Sequence, residues 1–175
     1  MNYLIFRTDR IGDFLITSSL IKAIKRNDNN SKISIVASNK NEDFIKKYNI
    51  VDKVFLLKSK KLKDRISLYL ELRNHKFDSI IISDKKNRSI LFGLLLKSKT
   101  KIINVSKIYQ KRILDLFYNN VFLDNDNISN QSIEKVLSDN CNSLNFNLEN
   151  QDFHYLNKDQ FKNEFIHNDL LNLDN

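Results

Sequence analysis

Tyr3-Leu4-Ile5-Phe6-Arg7-Thr8-Asp9-Arg10-Ile11-Gly12-Asp13-Phe14-Leu15-Ile16 runs apolar, breaks into charge, and turns apolar again. The first run, residues 2–7, lacks polar alternation and reads as a strand buried on both faces. Beyond the charged loop, Phe14, Ile21 and Ile24 are among the apolar positions of a helix over residues 13–26. Strand, short loop and long helix make the opening of a βα unit, and the rest of the chain repeats it. Residues 32–37 read as a second strand and 42–48 as a short helix. Residues 53–57 read as a third strand. Ile66, Leu68, Leu70 and Leu72 with charged neighbours mark a helix over 64–74. Residues 78–83 contain Ile80-Ile81-Ile82, which suits a central parallel strand. Residues 89–96 read as helical and 101–105 as the last strand, with further helices over 110–118 and 132–144. The expectation is an α/β fold: a Rossmann-like, doubly wound parallel sheet of about five strands with right-handed crossovers.

Composition narrows the function classes. A chain of 175 residues with 41% hydrophobic content can bury a core. Its longest apolar run, residues 90–96, is far shorter than the roughly 20 residues that cross a bilayer. No basic region precedes the first strand, so no signal peptide is visible. Cys141 is the only cysteine, which excludes an intrachain disulfide and a cysteine-rich metal site. A cytoplasmic domain is expected. The net charge of +8 conceals an asymmetry. Residues 1–123 hold 26 Lys/Arg against 11 Asp/Glu, whereas residues 124–175 hold 3 against 10. A basic body suits an anionic partner such as phosphate, nucleic acid or an acidic membrane surface. Lysines on solvated faces of a lysine-rich protein give the same count.

In an open parallel sheet, ligands bind outside the carboxyl ends of the strands. The first such loop, residues 7–13, holds Gly12, one of only two glycines. So sparing a use of glycine suggests a positive φ or a close approach by another group. Asp13 stands at the expected helix start, where a carboxylate serves as an N-cap or first-turn anion. The functional alternative is a general base that deprotonates a hydroxyl. A helix start favours the ionised carboxylate, so that role needs help from burial or substrate. Arg7 and Arg10 suit an anionic ligand, or simply Asp9 and Asp13.

Several chemistries lack their motifs. There is no GxGxxG after the first strand and no GxxxxGK[ST], which disfavours dinucleotide and P-loop sites. His75, His154 and His167 lie far apart, and no metal site is expected. No GxSxG elbow surrounds Ser18, Ser19 or Ser38.

The block from Tyr3 through Gly12-Asp13-Phe14 to Thr17-Ser18-Ser19-Leu20-Ile21-Lys22-Ala23-Ile24-Lys25 resembles the opening of glycosyltransferase family 9, which contains the ADP-heptose:lipopolysaccharide heptosyltransferases. Weaker matches follow in order: residues 33–38, Val51-Asp52-Lys53-Val54, and Lys76-Phe77-Asp78-Ser79-Ile80-Ile81. The resemblance implies the N-terminal half of a GT-B fold, whose two Rossmann-like domains face each other across the active site. It implies an acceptor-binding role, with Asp13 as catalytic base and Arg7, Thr8, Asp9, Arg10 and Gly12 around the acceptor. It also implies that basic residues after the third strand contact acceptor phosphates. Lys58, Lys60, Lys61, Lys63 and Arg65 occupy that expected loop. On the resemblance the reaction needs no metal or cofactor. Its co-substrate is a nucleotide-sugar donor such as ADP-heptose, and its partner an anionic glycolipid acceptor, with peripheral contact at the inner face of the cell membrane.

The resemblance covers only an acceptor half. The expected division is residues 1–123 as the acceptor-binding domain and 124–175 as a helical linker or tail, with the donor-binding domain absent. The implied function is lipopolysaccharide-type sugar transfer, complete only with a donor domain from another chain, and the isolated chain is expected to be inactive. A non-catalytic binding module or truncated remnant is the alternative. A basic nucleic-acid-binding domain is a further one, although no RNP, KH or helix-turn-helix pattern accompanies the charge.

Overall fold

The computed structural model describes residues 1–105, 107–123 and 133–153. The strands are β1 (Asn2–Phe6), β2 (Lys32–Ser38), β3 (Lys53–Leu57), β4 (Ser79–Ile82), β5 (Thr100–Val105) and β6 (Asn120–Leu123). The α-helices are α1 (Ile11–Asn27), α2 (Glu42–Lys47), α3 (Leu62–Arg73), α4 (Asn87–Leu95), α5 (Ile108–Leu114) and α6 (Ile133–Asn142). A short 3-10 turn over Asn150–Phe153 follows. The six strands form one parallel sheet in the order β3-β2-β1-β4-β5-β6. This is the doubly wound α/β arrangement, with its order reversing between β1 and β4.

Strand residues alternate between two cores, as a period of two requires. Leu4, Phe6, Ile80, Ile82, Ile103 and Val105 pack beneath α3, α4 and α5. Tyr3, Ile5, Ile33, Ile35, Ile81 and Ile102 pack on the other face with α1, α2 and α6. Burial on both faces explains why Tyr3 to Phe6 of β1 and Ile80 to Ile82 of β4 are unbroken apolar runs. On α1, Phe14 meets Tyr48 edge-on, with ring centroids 5.3 Å apart. Leu137 and Cys141 of α6 are buried in the same core. Asn145 ends the following turn at φ 60, a left-handed conformation that asparagine tolerates after a helix.

Four differences from the sequence expectation stand out. The sheet has six strands rather than about five, because β6 pairs in parallel with β5 from Ile102↔Asn120 to Val105↔Leu123. β6 has only four residues, too few for periodicity to register. Helix α1 begins at Ile11 rather than at Asp13, so Arg10 is its N-cap and Asp13 its third residue. Lys63 and Arg65 lie in α3, not in the loop, because the helix starts at Leu62. Helix α5 spans Ile108–Leu114, and Tyr118 closes a turn through its amide bond to the Leu114 carbonyl at 2.9 Å. The expected connector over 124–130 and the aromatics Tyr155, Phe161 and Phe165 lie outside the described residues, as do His154 and His167.

Candidate functional site

The carboxyl ends of parallel strands share one edge, so the loops after β1, β2, β3 and β4 gather there. Hydrogen bonds tie them in series. Ser38 donates its hydroxyl to the Thr8 carbonyl at 3.0 Å, and Asn41 Nδ2 donates to the Arg7 carbonyl at 2.8 Å. Asn39 Nδ2 reaches the Lys58 carbonyl at 3.2 Å. The loops after β1 and β4, separated by the whole β2–β3 half of the sheet in sequence, meet at the point of strand-order reversal. That is where a crevice forms in such sheets.

Asp84, only 6% exposed, holds the two loops together. Its Oδ2 accepts hydrogen bonds from Thr8 Oγ1 at 2.5 Å and Ser89 Oγ at 2.8 Å. Its Oδ1 accepts from the Lys86 amide at 3.2 Å. Lys86 Nζ returns to the Thr8 carbonyl at 3.0 Å, and Arg88 Nη2 donates to Thr8 Oγ1 at 2.9 Å. Between Asp84 and Lys86, Lys85 sits at φ 52, a conformation disfavoured for side-chain-bearing residues and common where surroundings dictate the backbone. Burial, opposed by Asp84 and Asp9, holds the Lys86 ammonium below the ordinary lysine range.

Arg7 is committed internally. Its guanidinium donates to the Asp13 carbonyl at 2.9 Å, to Asp9 Oδ2 at 3.0 Å and to the Ser83 carbonyl at 2.7 Å. It braces the loop rather than reaching outward. Burial pushes the Asp9 carboxyl above its usual range, with Arg7 opposing, and Asp9 Oδ1 is buried without a hydrogen-bond partner among the described residues. Asp13 is half-buried, and its Oδ2 accepts the Arg10 amide at 3.2 Å. Asp13 therefore satisfies a donor at the helix start from the third helical position. Arg10 and Gly12 are exposed.

Gly12 departs from expectation. Its φ is not positive, and an added Cβ would meet nothing within 4 Å among the described residues. Nothing among the described residues requires glycine there, although glycine in a helix costs about 1 kcal/mol relative to alanine.

After β3, Lys58, Lys60, Lys61 and Lys63 are exposed and make no side-chain ion pair among the described residues. Ser59 donates its hydroxyl to Asp64 and accepts the Lys61 amide at 3.0 Å, which shapes the turn into α3. Arg65 is half-buried, with its Nε buried and unpartnered among the described residues. Loop residues 7–10, Gly12-Asp13 and the basic turn thus share one edge of the sheet. Asp84, Lys86, Arg88, Ser89, Ser38 and Asn41 were not marked by sequence reading. A usable signal was the polar run Ser83-Asp84-Lys85-Lys86-Asn87-Arg88 directly after Ile80-Ile81-Ile82. Among the described residues no group of His, Cys, Asp and Glu converges in a metal-binding arrangement.

The six-stranded parallel sheet, with its order reversing between β1 and β4, defines the class as a doubly wound domain of Rossmann type, the unit from which GT-B glycosyltransferases are built. Solved structures narrow the likeness. The chain is similar to E. coli heptosyltransferase WaaC with ADP-2-deoxy-2-fluoro heptose, with a TM-score of 0.66 at 16% identity over 86% of this chain and 50% of that one. It is similar to E. coli ADP-heptose lps heptosyltransferase II, with a TM-score of 0.62 at 14% identity over 78% of this chain and 39% of that one. It is also similar to the family 9 glycosyl transferase from Veillonella parvula DSM 2008, with a TM-score of 0.64 at 12% identity over 89% and 42%. The chain spans half or less of the length of these structures. At such identities the likeness is one of fold, and it agrees with the resemblance carried by the Gly12-Asp13 block. No protein-family model matches the chain, and no curated protein matches it.

Proposed function

We propose that this chain is the acceptor-binding half of a heptosyltransferase-like glycosyltransferase, and that it holds an anionic glycolipid at the mouths of β1, β3 and β4. The observation carrying this reading is the edge itself. Lys58, Lys60, Lys61 and Lys63, exposed and unpaired among the described residues, stand along the same strand ends as a loop whose Gly12 has no described neighbour in the place of a Cβ. Phosphate groups on a sugar acceptor suit such a row of cations. Lys86 and Arg88 are already bonded to Thr8 and set the loop's shape.

In this mechanism the acceptor hydroxyl approaches over Gly12 and passes its proton to Asp13. The freed oxygen attacks the anomeric carbon of a nucleotide sugar held by a donor half, and the nucleoside diphosphate leaves with inversion. Arg7 supports the step by fixing the Asp13 carbonyl and hence the first helical turn. The heptosyltransferase with ADP-2-deoxy-2-fluoro heptose supports a nucleotide heptose as the donor class. Without a donor half, the same site is a binding module with no turnover.

Titration with a delipidated, phosphorylated lipopolysaccharide core, duplex DNA and single-stranded RNA across salt tests the reading. Binding of the core should weaken with salt, and Lys60→Ala, Lys61→Ala and Lys63→Ala together should reduce it by about tenfold or more and flatten the salt slope. Equal affinity for nucleic acid, or core binding indifferent to the triple substitution, refutes it.

A further inference from the structure

Large exposed apolar side chains are unevenly distributed over the described residues. Of twelve, ten lie on α3, α4, α5 or the turn after α5, all on one side of the sheet. The outer sides of α4 and α5 carry Leu91 and Leu95 at one-turn spacing, then Ile108, Ile113, Leu116 and Phe117. Leu116 is 80% exposed and Phe117 58%. They are not overflow from a loosely filled core, because Ile90, Phe92, Leu96, Leu114 and Tyr118 already fill the inner sides of the same segments. Exposed apolar side chains gathered in this number on one side of the sheet mark an interaction site.

Charge selects the occupant. Residues 85–117 contain nine Lys/Arg and one acid, Asp115. Lys86 and Arg88 are held at Thr8, Lys99 pairs with Asp78 and Lys111 with Asp115, which leaves Lys97, Lys107 and Arg112 as the exposed cations of α5 and the segment before it. Lys97 and Arg112 are exposed beside the apolar tips and make no ion pair among the described residues. Lys107 lies over the Tyr109 ring at 5.6 Å. Protein interface cores are depleted in lysine, whereas here cations interleave along the chain with exposed apolar residues. An acidic bilayer satisfies both groups at once. Apolar tips enter the acyl boundary while cations meet headgroup phosphates.

We propose that the outer face of α4 and α5 is a docking surface for an anionic phospholipid leaflet. The inference deepens the acceptor reading, on which its biological sense rests, because a lipid-linked acceptor is presented at such a leaflet. No described helix is long and apolar enough to cross a membrane, so the contact is one of adsorption.

The test is co-sedimentation of the full chain with vesicles that carry no glycan. One set is phosphatidylcholine alone, and the other is about two parts phosphatidylcholine to one part phosphatidylglycerol. Binding is expected on the mixed vesicles, much weaker on the neutral ones, and falling with salt. Leu116→Ser with Phe117→Ser should reduce it by about tenfold or more with unchanged circular dichroism. Leu91→Ser with Leu95→Ser provides the same reading should the first pair disturb Tyr118. Lys97→Ala with Arg112→Ala should weaken binding and flatten its salt dependence. Absence of binding to mixed vesicles, or binding undiminished in both apolar variants, overturns the proposal. So does a concentration-dependent dimer that the apolar substitutions dissolve, which would assign the face to a second copy. Because the vesicles hold no acceptor, such a failure leaves the soluble-core titration unaffected.

Discussion

Replacing Gly93 with alanine isolates how α4 is seated against the segment after α5. Gly93 lies in α4, where alanine should stabilise an unencumbered helix by about 1 kcal/mol. Its surroundings oppose that gain. A Cβ at position 93 would fall 2.2 Å from Tyr118 Oη, 3.0 Å from Cζ and 3.2 Å from Cε1. The Tyr118 ring is 4% exposed and donates its hydroxyl to the Ile90 carbonyl at 2.7 Å, so it cannot swing into solvent. Overpacking costs about 1–3 kcal/mol. Losing the buried hydrogen bond costs about 1–3 kcal/mol more. After the helix gain, Gly93→Ala should destabilise by about 1–5 kcal/mol, and each kcal/mol lowers Tm by about 2–4 °C at this chain length. Tyr118→Phe removes the atom in closest conflict and leaves ring carbons at 3.0 Å or beyond, a fit the ring can meet by a small shift. Circular-dichroism melts of the parent, the two single variants and the double variant complete a double-mutant cycle. Gly93→Ala should cost less in the Tyr118→Phe background by about 1–3 kcal/mol. Equal stability of Gly93→Ala and the parent protein, or no coupling between the sites, would refute this account of the packing.

Asp13→Asn should leave Tm within a few degrees, since an amide oxygen can accept the Arg10 amide and the lost charge–dipole term is about 0.3–1 kcal/mol. With a donor half fused after residue 175, it should lose about 100- to 10,000-fold in transfer rate, and retained transfer would remove the base role. The Asp78 carboxyl is held below its usual range by the Asn2 amide, with Lys99 adding. Its stabilising contribution is therefore present above the unfolded carboxylate value near about 4 and is lost as pH falls through the lower folded value. Melting the parent and Asp78→Asn proteins from neutral to acid pH should show their gap narrowing below about pH 4, and a gap that widens would reverse the sign. Burial, reinforced by Asp152, pushes the Cys141 thiol up to about 12. Iodoacetamide should leave it unmodified in the folded chain and react once urea unfolds it, and rapid native labelling would contradict its burial.

Strand–helix alternation was legible because β1 and β4 are buried on both faces and carry no polar interruption, a local property any short window reveals. The Gly12-Asp13 loop was legible for a related reason: scarce glycine and clustered charge stand out against an apolar strand. Helix starts were less legible. Ile11 and Leu62 are 40% and 70% exposed, so the apolar pattern did not place them on a buried helical face. Sequence alone thus determined the fold class, the position of the first loop at a strand mouth and the cations after β3. Tertiary structure decided strand order, because parallel strands pair through backbone groups common to every residue and several apolar runs satisfy the same ladder. From that order came the meeting of Thr8 with Asp84, 76 residues apart, and the bracing of Arg7 against Ser83. It also decided that the helices after β3, β4 and β5 share one face and bring their outer apolar residues to the same side. Local periodicity records which residues avoid water, but only the pairing of strands decides which buried and exposed faces become neighbours.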